Sequence, residues 1–287
     1  MKENPRTAVV TGASTGIGRA CALALDAAGW HVFAGVRREE DANTLRKRAS
    51  DRLRTCHLDV TRPGEIEAAA AQVAEACGGA GVQGLVNNAG IAVAGPLEFL
   101  PMADLEQQFA VNVLGLVRTT QAFLPLLRAG HGRIVNMGSV SGRFALPFVG
   151  PYAASKHALE AISDSLRVEL RPWGIKVVLL EPGVVRTPIW DKGRAAGDTL
   201  RAQMPAACEQ YYGAALDRVQ AEVDKVEPQG VAPEAVARCV VKALTARRPK
   251  ARYVLGANAR AQLILGGWIP DRPRDWLIAK MLGLGSA

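Results

Sequence analysis

Cysteine and histidine are scarce in this 287-residue chain, five and four residues respectively, and neither type is arranged for the chemistry it usually carries. Cys21, Cys56, Cys77, Cys208 and Cys239 are odd in number and scattered, with no Cys-x-x-Cys pair, so neither a disulfide framework nor a zinc site is indicated and no metal is expected. They read as reduced thiols. No apolar segment suited to export precedes the first hydrophobic run. Met1-Lys2-Glu3-Asn4-Pro5-Arg6 has no h-region and no small-residue cleavage site, and the expected location is the cytoplasm. No linker, repeat or low-complexity tract divides the chain, which argues for one domain over residues 1–287. Aromatic residues make up only 5% and are not interleaved with basic ones. The formal charge of +8, from 35 Lys plus Arg against 27 Asp plus Glu, therefore suggests an anionic cofactor or lipid surface and not nucleic acid.

What remains is an ordinary globular composition, 49% hydrophobic and 22% charged, with enough apolar material for a sizeable core. An apolar strand, Ala8-Val9-Val10, leads through a glycine turn into a helix from about Ile17 to Ala28, then a strand at His31 to Val36. Further strands are predicted at Thr55 to Leu58, Gly84 to Asn87, Arg133 to Met137, Lys176 to Leu180 and Arg252 to Leu255. Helices are predicted between them at Ile66 to Ala76, Asp104 to Leu127 and Tyr152 to Leu170. Short, fully apolar strands alternating with helices predict a doubly wound, Rossmann-type α/β fold with a parallel sheet covered on both faces. Thr187 to Val231 breaks the alternation: it is polar, partly helical and beyond a strand end, as a substrate lid would be. In the C-terminal tail, residues 262–287, short apolar groups around Trp268 and Trp276 are interrupted by Pro270, Asp271, Pro273 and Asp275. The tail is too broken to span a bilayer, though suited to touching a membrane surface or covering a pocket entrance.

The glycine turn reads Thr11-Gly12-Ala13-Ser14-Thr15-Gly16-Ile17-Gly18. Directly after a strand, this spacing lets the backbone turn tightly into a helix whose free N–H groups and positive dipole end face a pyrophosphate. A P-loop is excluded, because Arg19-Ala20 follows Gly18 where a lysine and a hydroxyl would be needed. Gly12-Ala13-Ser14-Thr15-Gly16 also matches the nucleophile elbow of hydrolases, which needs an acid and then a histidine downstream. His57 precedes Asp59, His131 lies in a Gly-His-Gly turn, and His157 adjoins Lys156, so that set is not formed.

Tyr152 and Lys156 lie four residues apart, thirteen beyond Ser139. A helix places positions i and i+4 on one face, where a fixed ammonium beside the phenol favours the phenolate and makes tyrosine a usable acid or base. Ser141 is the rival to Ser139 in Gly138-Ser139-Val140-Ser141-Gly142. Taken singly, Asn112 reads equally as a helix-backbone brace, Asp59 as a strand-end cap and Lys156 as a solvated helix charge.

With Asn87-Asn88-Ala89-Gly90, Asn112, Ser139, Tyr152 to Lys156, and Pro182-Gly183 with Thr187 in this order, the chain resembles the short-chain dehydrogenases/reductases from about Thr7 to Thr187. The wording Val32-Phe33-Ala34-Gly35, Leu53-Arg54-Thr55 and Leu146-Pro147-Phe148 is similar to the branch with retinol, 17β-hydroxysteroid and 3-hydroxybutyrate dehydrogenases. The resemblance implies hydride transfer between a nicotinamide dinucleotide and a secondary alcohol or ketone. Tyr152 would exchange the proton, Ser139 would hydrogen-bond the substrate oxygen, and Lys156 would lower the Tyr152 pKa and bind the nicotinamide ribose. Asn112 would hold a relay water. Gly12, Ser14, Thr15, Gly16, Ile17 and Gly18 would cradle the pyrophosphate. Asn88, Ala89 and Gly90 would line the adenosine, and Asp59 with Val60 would meet the adenine. Pro182, Gly183, the backbone near Val184 and Val185, and Thr187 would hold the nicotinamide.

At the end of the second strand the acidic position of NAD enzymes is Val36, followed by Arg37 and Arg38, which favours NADP(H) over NAD(H), although Thr15 is neutral where many NADP(H)-preferring relatives are basic. Ile91, Val93, Phe144 to Phe148, Val185, Ile189 and Trp190 suggest a bulky hydrophobic substrate such as a steroid, retinoid or lipid-like carbonyl, with Arg143 and Arg186 at the rim. Two apolar stripes on the Tyr152 helix, Leu159, Ile162, Leu166, Leu170 and Ala154, Ala158, Ala161, Ser165, point with the resemblance to a homodimer or homotetramer. The alternative is a catalytically silent dinucleotide sensor on the same fold.

Overall fold

The computed structural model of the chain describes residues 6–256, 259, 263 and 269–284. Its strands are β1 (Thr7–Val10), β2 (His31–Val36), β3 (Leu53–His57), β4 (Gly84–Asn87), β5 (Arg133–Met137), β6 (Lys176–Pro182) and β7 (Arg252–Leu255). They form one parallel sheet in the order β3-β2-β1-β4-β5-β6-β7. Successive side chains point to opposite faces, so both faces of these apolar runs must be covered. Ala8 and Val10 of β1, with Val86 and Val135, enter one core, whereas Val9, Leu85 and Ile134 enter the other.

The helices are α1 (Gly16–Ala27), α2 (Glu39–Arg46), α3 (Pro63–Cys77), α4 (Met102–Phe109), α5 (Leu116–Ala129), α6 (Gly150–Glu169), α7 (Ile189–Gln203), α8 (Ala206–Val226) and α9 (Pro233–Thr245), followed by a C-terminal helix, Asp271–Leu282. Cys21, Ala22 and Leu25 of α1, Ala42 and Leu45 of α2, and Val236, Val240 and Leu244 of α9 close the first core. Ile66 and Val73 of α3 and Phe123 and Leu127 of α5 close the second.

Several elements differ from the sequence expectation. The helix expected from Asp104 to Leu127 is interrupted by a π-helical turn, Ala110–Gly115, between α4 and α5. Gly115 makes room there for Val60: a Cβ on it would lie 2.7 Å from Val60 Cγ2. This stretch, Met102–Ala129, is long and apolar enough to cross a membrane, with mean hydropathy 1.3, but half of its most apolar window is buried inside the fold. Thr187 to Val231 is mostly helical, as α7 and α8. Neither α2 nor α9 was expected. In the C-terminal tail, Ile278 and Leu282 pack against Phe144, while the apolar residues at 264–268 lie outside the described ones.

The chain leaves β1 for β2 on one side and returns to β4 on the other. The C-terminal ends of β1 and β4 therefore flank a topological switch point, where open α/β sheets bind ligands.

Candidate active site

The turn after β1 is built for a backbone that approaches closely. Gly12 has φ +63°, and a Cβ on it would lie 2.8 Å from Ala89 Cα; a Cβ on Gly18 would lie 2.2 Å from the Gly12 carbonyl oxygen. Helix α1 has no side-chain N-cap and no acidic residue in its first turn, so the amides around Gly16, Ile17 and Gly18 retain their affinity for an anion. Ser14 and Thr15 sit partly buried at the tip. Thr187 closes the opposite side, its Cβ and Cγ2 each 3.2 Å from where a Gly16 Cβ would stand. Asn88 braces the turn: its Nδ2 donates to the carbonyls of Thr11 (2.9 Å) and Gly12 (3.1 Å). Thr11 Oγ1 accepts from the amides of Asn88 and Ala89, both at 3.0 Å. Thr11 was not singled out from the sequence; its position between strand and turn is the only signal it carries there.

At the other end of the groove Val36 is buried and Arg37 and Arg38 are exposed. Arg37 Nη1 lies 3.6 Å from Asp59 Oδ2, and Arg38 Nε donates to Asp41 at 3.1 Å. Asp59 Oδ1 accepts from the amide (2.9 Å) and hydroxyl (2.7 Å) of Thr61. Partial burial pushes the Asp59 carboxyl up, but the Thr61 hydrogen bonds and Arg37 outweigh it and hold the group below the ordinary carboxylate range.

The ends of β4 and β5, the π turn and α6 bring Asn112, Ser139, Tyr152 and Lys156 together. Ser139 is buried at the start of a short 3-10 turn, where its Oγ accepts from the Ser141 amide at 3.1 Å and lies close enough to the Tyr152 phenol to influence its ionisation. Lys156, only 6% exposed, donates from Nζ to the Met137 carbonyl at 2.8 Å and lies 5.6 Å from the Tyr152 ring centroid. Burial pushes its ammonium down to about 8. The expected lowering of the Tyr152 pKa by Lys156 is not realised: burial raises it, opposed only by the nearby Ser139 hydroxyl. The reason is geometric, since the ammonium is committed to the Met137 carbonyl and lies toward the ring. Asn112 is fully engaged, its Oδ1 accepting from the Ile91 amide (2.9 Å) and its Nδ2 donating to the Ile91 carbonyl and Ser155 Oγ (both 3.0 Å). Gly90 lies against it, a Cβ there falling 3.3 Å from Asn112 Oδ1.

Beyond β6 the Gly183 amide donates to Leu255 O (2.9 Å), Val184 O accepts from Val231 N (2.9 Å), and Trp190 Nε1 donates to Val185 O (2.8 Å). Arg143 Nη1 lies 3.6 Å from Glu181 Oε1 while its side chain stays half exposed, a rim cation that leans toward a buried carboxylate. Phe148 adopts φ +68°, a strained value for a bulky residue, and stacks edge-on against Tyr212 of α8 at 5.9 Å; Phe99 meets the same ring at 6.0 Å. A cavity of about 240 Å3 opens there, lined by Leu97, Leu146, Phe148 and Tyr212 among others, next to the first turn of α6. Among the described residues no group of three or more His, Cys, Asp or Glu is placed to hold a metal.

An uncapped helix N-terminus, a serine beside a tyrosine, and a buried lysine lie at one end of the sheet, and the comparisons with known proteins agree with this geometry. The model of the short chain dehydrogenase family matches residues 6–197. The chain is 38% identical over 285 residues to a protein of Ornithobacterium rhinotracheale called NADPH-dependent 3-dehydrocapnine reductase, covering 96% of this chain and 97% of that one. It is 39% identical over 283 residues to retinol dehydrogenase 5 of Mus musculus, covering 95% and 87%. Among solved structures, a short-chain dehydrogenase/reductase of Burkholderia phymatum in complex with NAD aligns with a TM-score of 0.76 at 28% identity, over 92% of this chain and 94% of that one. A short-chain dehydrogenase of Burkholderia cenocepacia in complex with NADP aligns with a TM-score of 0.72 at 25% identity, over 98% and 99%. The chain belongs to the short-chain dehydrogenase family.

Proposed function

We propose that the protein transfers a hydride between NADP(H) and a secondary alcohol or ketone, with Tyr152 exchanging the proton. The observation that carries this reading is the Tyr152 phenol set beside buried Ser139 and buried Lys156: a dinucleotide sensor has no use for that grouping, whereas a reductase needs a phenol held ready to donate. The raised Tyr152 pKa favours the protonated phenol, which suits carbonyl reduction.

The residues present fit a dinucleotide. The Gly12 to Gly18 turn would take the pyrophosphate, Lys156 the nicotinamide ribose, and Pro182 to Thr187 the carboxamide end. The dinucleotide supplies the hydride when bound. Ser139 and Tyr152 hold the substrate oxygen, and the Tyr152 O–H delivers the proton to it. The Asn112 side chain keeps the Ile91 backbone in place, so any water it holds would meet its main chain. Arg37 and Arg38 favour the 2′-phosphate, and the name of the Ornithobacterium relative points the same way. The Burkholderia phymatum structure is in complex with NAD and the Burkholderia cenocepacia one with NADP, so the fold itself accepts either dinucleotide.

A bulky hydrophobic carbonyl is the substrate class we infer. The cavity beside α6 is lined by Pro96, Leu97, Leu146, Pro147, Phe148 and Tyr212, its carboxylate Glu98 already accepts from the Tyr212 hydroxyl at 2.8 Å, and retinol dehydrogenase 5 is among the relatives. Helices α7 and α8 would form the lid. Incubation with NADPH and a panel of retinoid, steroid, long-chain and small charged ketones, followed by cofactor absorbance, tests the reading. Oxidation of NADPH only with hydrophobic ketones supports it, and faster turnover of small charged ones overturns the substrate class.

A further inference from the structure

Behind the reacting centre, α6 and β6 meet through two carboxyl groups. Glu181, the residue before Pro182, is completely buried, and Arg252 reaches both its carboxyl and that of Glu160, one turn beyond Lys156. Glu160 Oε1 and both oxygens of Glu181 are buried with no hydrogen-bond partner among the described residues. Two neighbouring buried carboxylates repel each other and leave their acceptors unpaired. One proton between them removes both penalties.

The surrounding charges agree. Arg252 of β7 lies 3.0 Å from Glu160 Oε2 through Nη2 and 3.7 Å from Glu181 Oε1 through Nε. Arg143, from the turn after Ser139, lies 3.6 Å from Glu181 Oε1. Asp164, one turn further along α6, takes Arg252 Nη2 at 2.6 Å, and Lys156 directs its ammonium to Met137 instead. Arg167 also holds Asp164, at 2.5 Å, while neither Arg143 nor Arg252 comes nearer than 3.6 Å to Glu181, so among the described residues no cation quenches Glu181 at hydrogen-bond distance. The join is close-packed: a Cβ on Gly142 would lie 2.8 Å from the Lys156 carbonyl oxygen and 3.3 Å from Glu160 Cγ.

We propose that Glu160 and Glu181 hold one proton between them and act as positioning residues, clasping the helix that carries Tyr152 and Lys156 to the strand end that leads into residues 182–187. Burial first, then the Glu181 carboxyl, pushes Glu160 up to about 7 against the pull of Arg252. The folded chain therefore holds this proton more tightly than the unfolded one. The clasp's contribution to stability is fully present below 4.5 and is lost as pH rises through about 7. Loss of the proton restores the repulsion, the two segments part, and dinucleotide binding weakens.

The positioning role rests on the reading of residues 182–187 as a nicotinamide site; the shared proton does not. Infrared spectra of the wild-type protein should show a protonated carboxyl band at about pH 6 that disappears with a midpoint near 7. Its absence at about pH 6 would overturn the shared proton. NADPH dissociation constants from cofactor fluorescence at about pH 6 and about pH 8 should rise roughly tenfold more in the wild type than in Glu160→Gln, which keeps a donor at every pH. Equal changes in the two proteins would overturn the positioning role. Should Glu160→Gln not fold, Glu181→Gln carries the same comparison. A protein that shows the carboxyl band but never binds NADPH would overturn the dinucleotide reading and leave the proton pair standing.

Discussion

Lys156 carries a cost that the rest of the fold must cover. Its ammonium is buried with one carbonyl partner and its pKa is pushed down from 10.5 to about 8 by desolvation, equivalent to about 3 kcal/mol. The folded chain binds this proton less tightly than the unfolded chain. The cost is therefore fully present below about pH 8 and recedes as pH rises toward 10.5. Lys156→Met should raise the thermal midpoint at neutral pH while abolishing turnover, a trade of function against stability that differential scanning calorimetry and an activity assay check together. A lowered midpoint would show that the Met137 hydrogen bond outweighs desolvation. Arg37 gives a second prediction at this scale. Its pairing with Asp59 at 3.6 Å is long and the guanidinium is 68% exposed, so it is free to turn to a 2′-phosphate. Arg37→Ala should weaken NADPH binding roughly tenfold to a hundredfold and NADH binding little, as read by cofactor fluorescence.

Helix α8 is where pocket shape is decided, because Tyr212 holds both Phe99 and the strained Phe148. Tyr212→Ala should raise KM for bulky ketones severalfold with little change in NADPH affinity; equal effects on both would mean that α8 supports the fold and not the pocket. The strands and α6 were legible in the sequence because their apolar spacing is strong and tertiary structure does not contest it. Helices α7 and α8 were only partly legible, since their faces are rich in paired charge: Arg201 meets Glu209 and Asp217, and Arg194 meets Glu227. Helix α2 buries only Ala42 and Leu45, too little for a period to show, whereas α9 carries a readable stripe from Val236 to Leu244 that was passed over. The π turn was not legible, because it depends on Val60 against Gly115 and Ile91 on Asn112, contacts between distant segments. The Glu160–Glu181 pair was hidden for the same reason. The site residues were legible as a set because their types and order were visible, but the destination of the Lys156 ammonium was not.

At the scale of the molecule, α6 leaves an apolar stripe uncovered among the described residues. Ala154, Ala161 and Ser165 are exposed, as are Val168 of the same helix, at 61%, and Leu114 of the π turn, at 48%. Small residues let a second helix approach closely, and we expect this face to be covered by another copy of the chain. Light scattering at micromolar concentration should give a dimer or tetramer mass, and Ala161→Arg should shift it to a monomer; a monomeric wild type would contradict the expectation. The switch point, the phenol beside Ser139 and the basic strand end together fit the reaction we propose, with Tyr152 as its proton donor. The most direct test is single-turnover oxidation of bound NADPH by a hydrophobic ketone in wild-type protein and in Tyr152→Phe. The account predicts a rate loss of about a thousandfold in Tyr152→Phe with NADPH affinity nearly unchanged. Turnover in Tyr152→Phe within a few fold of wild type would contradict it.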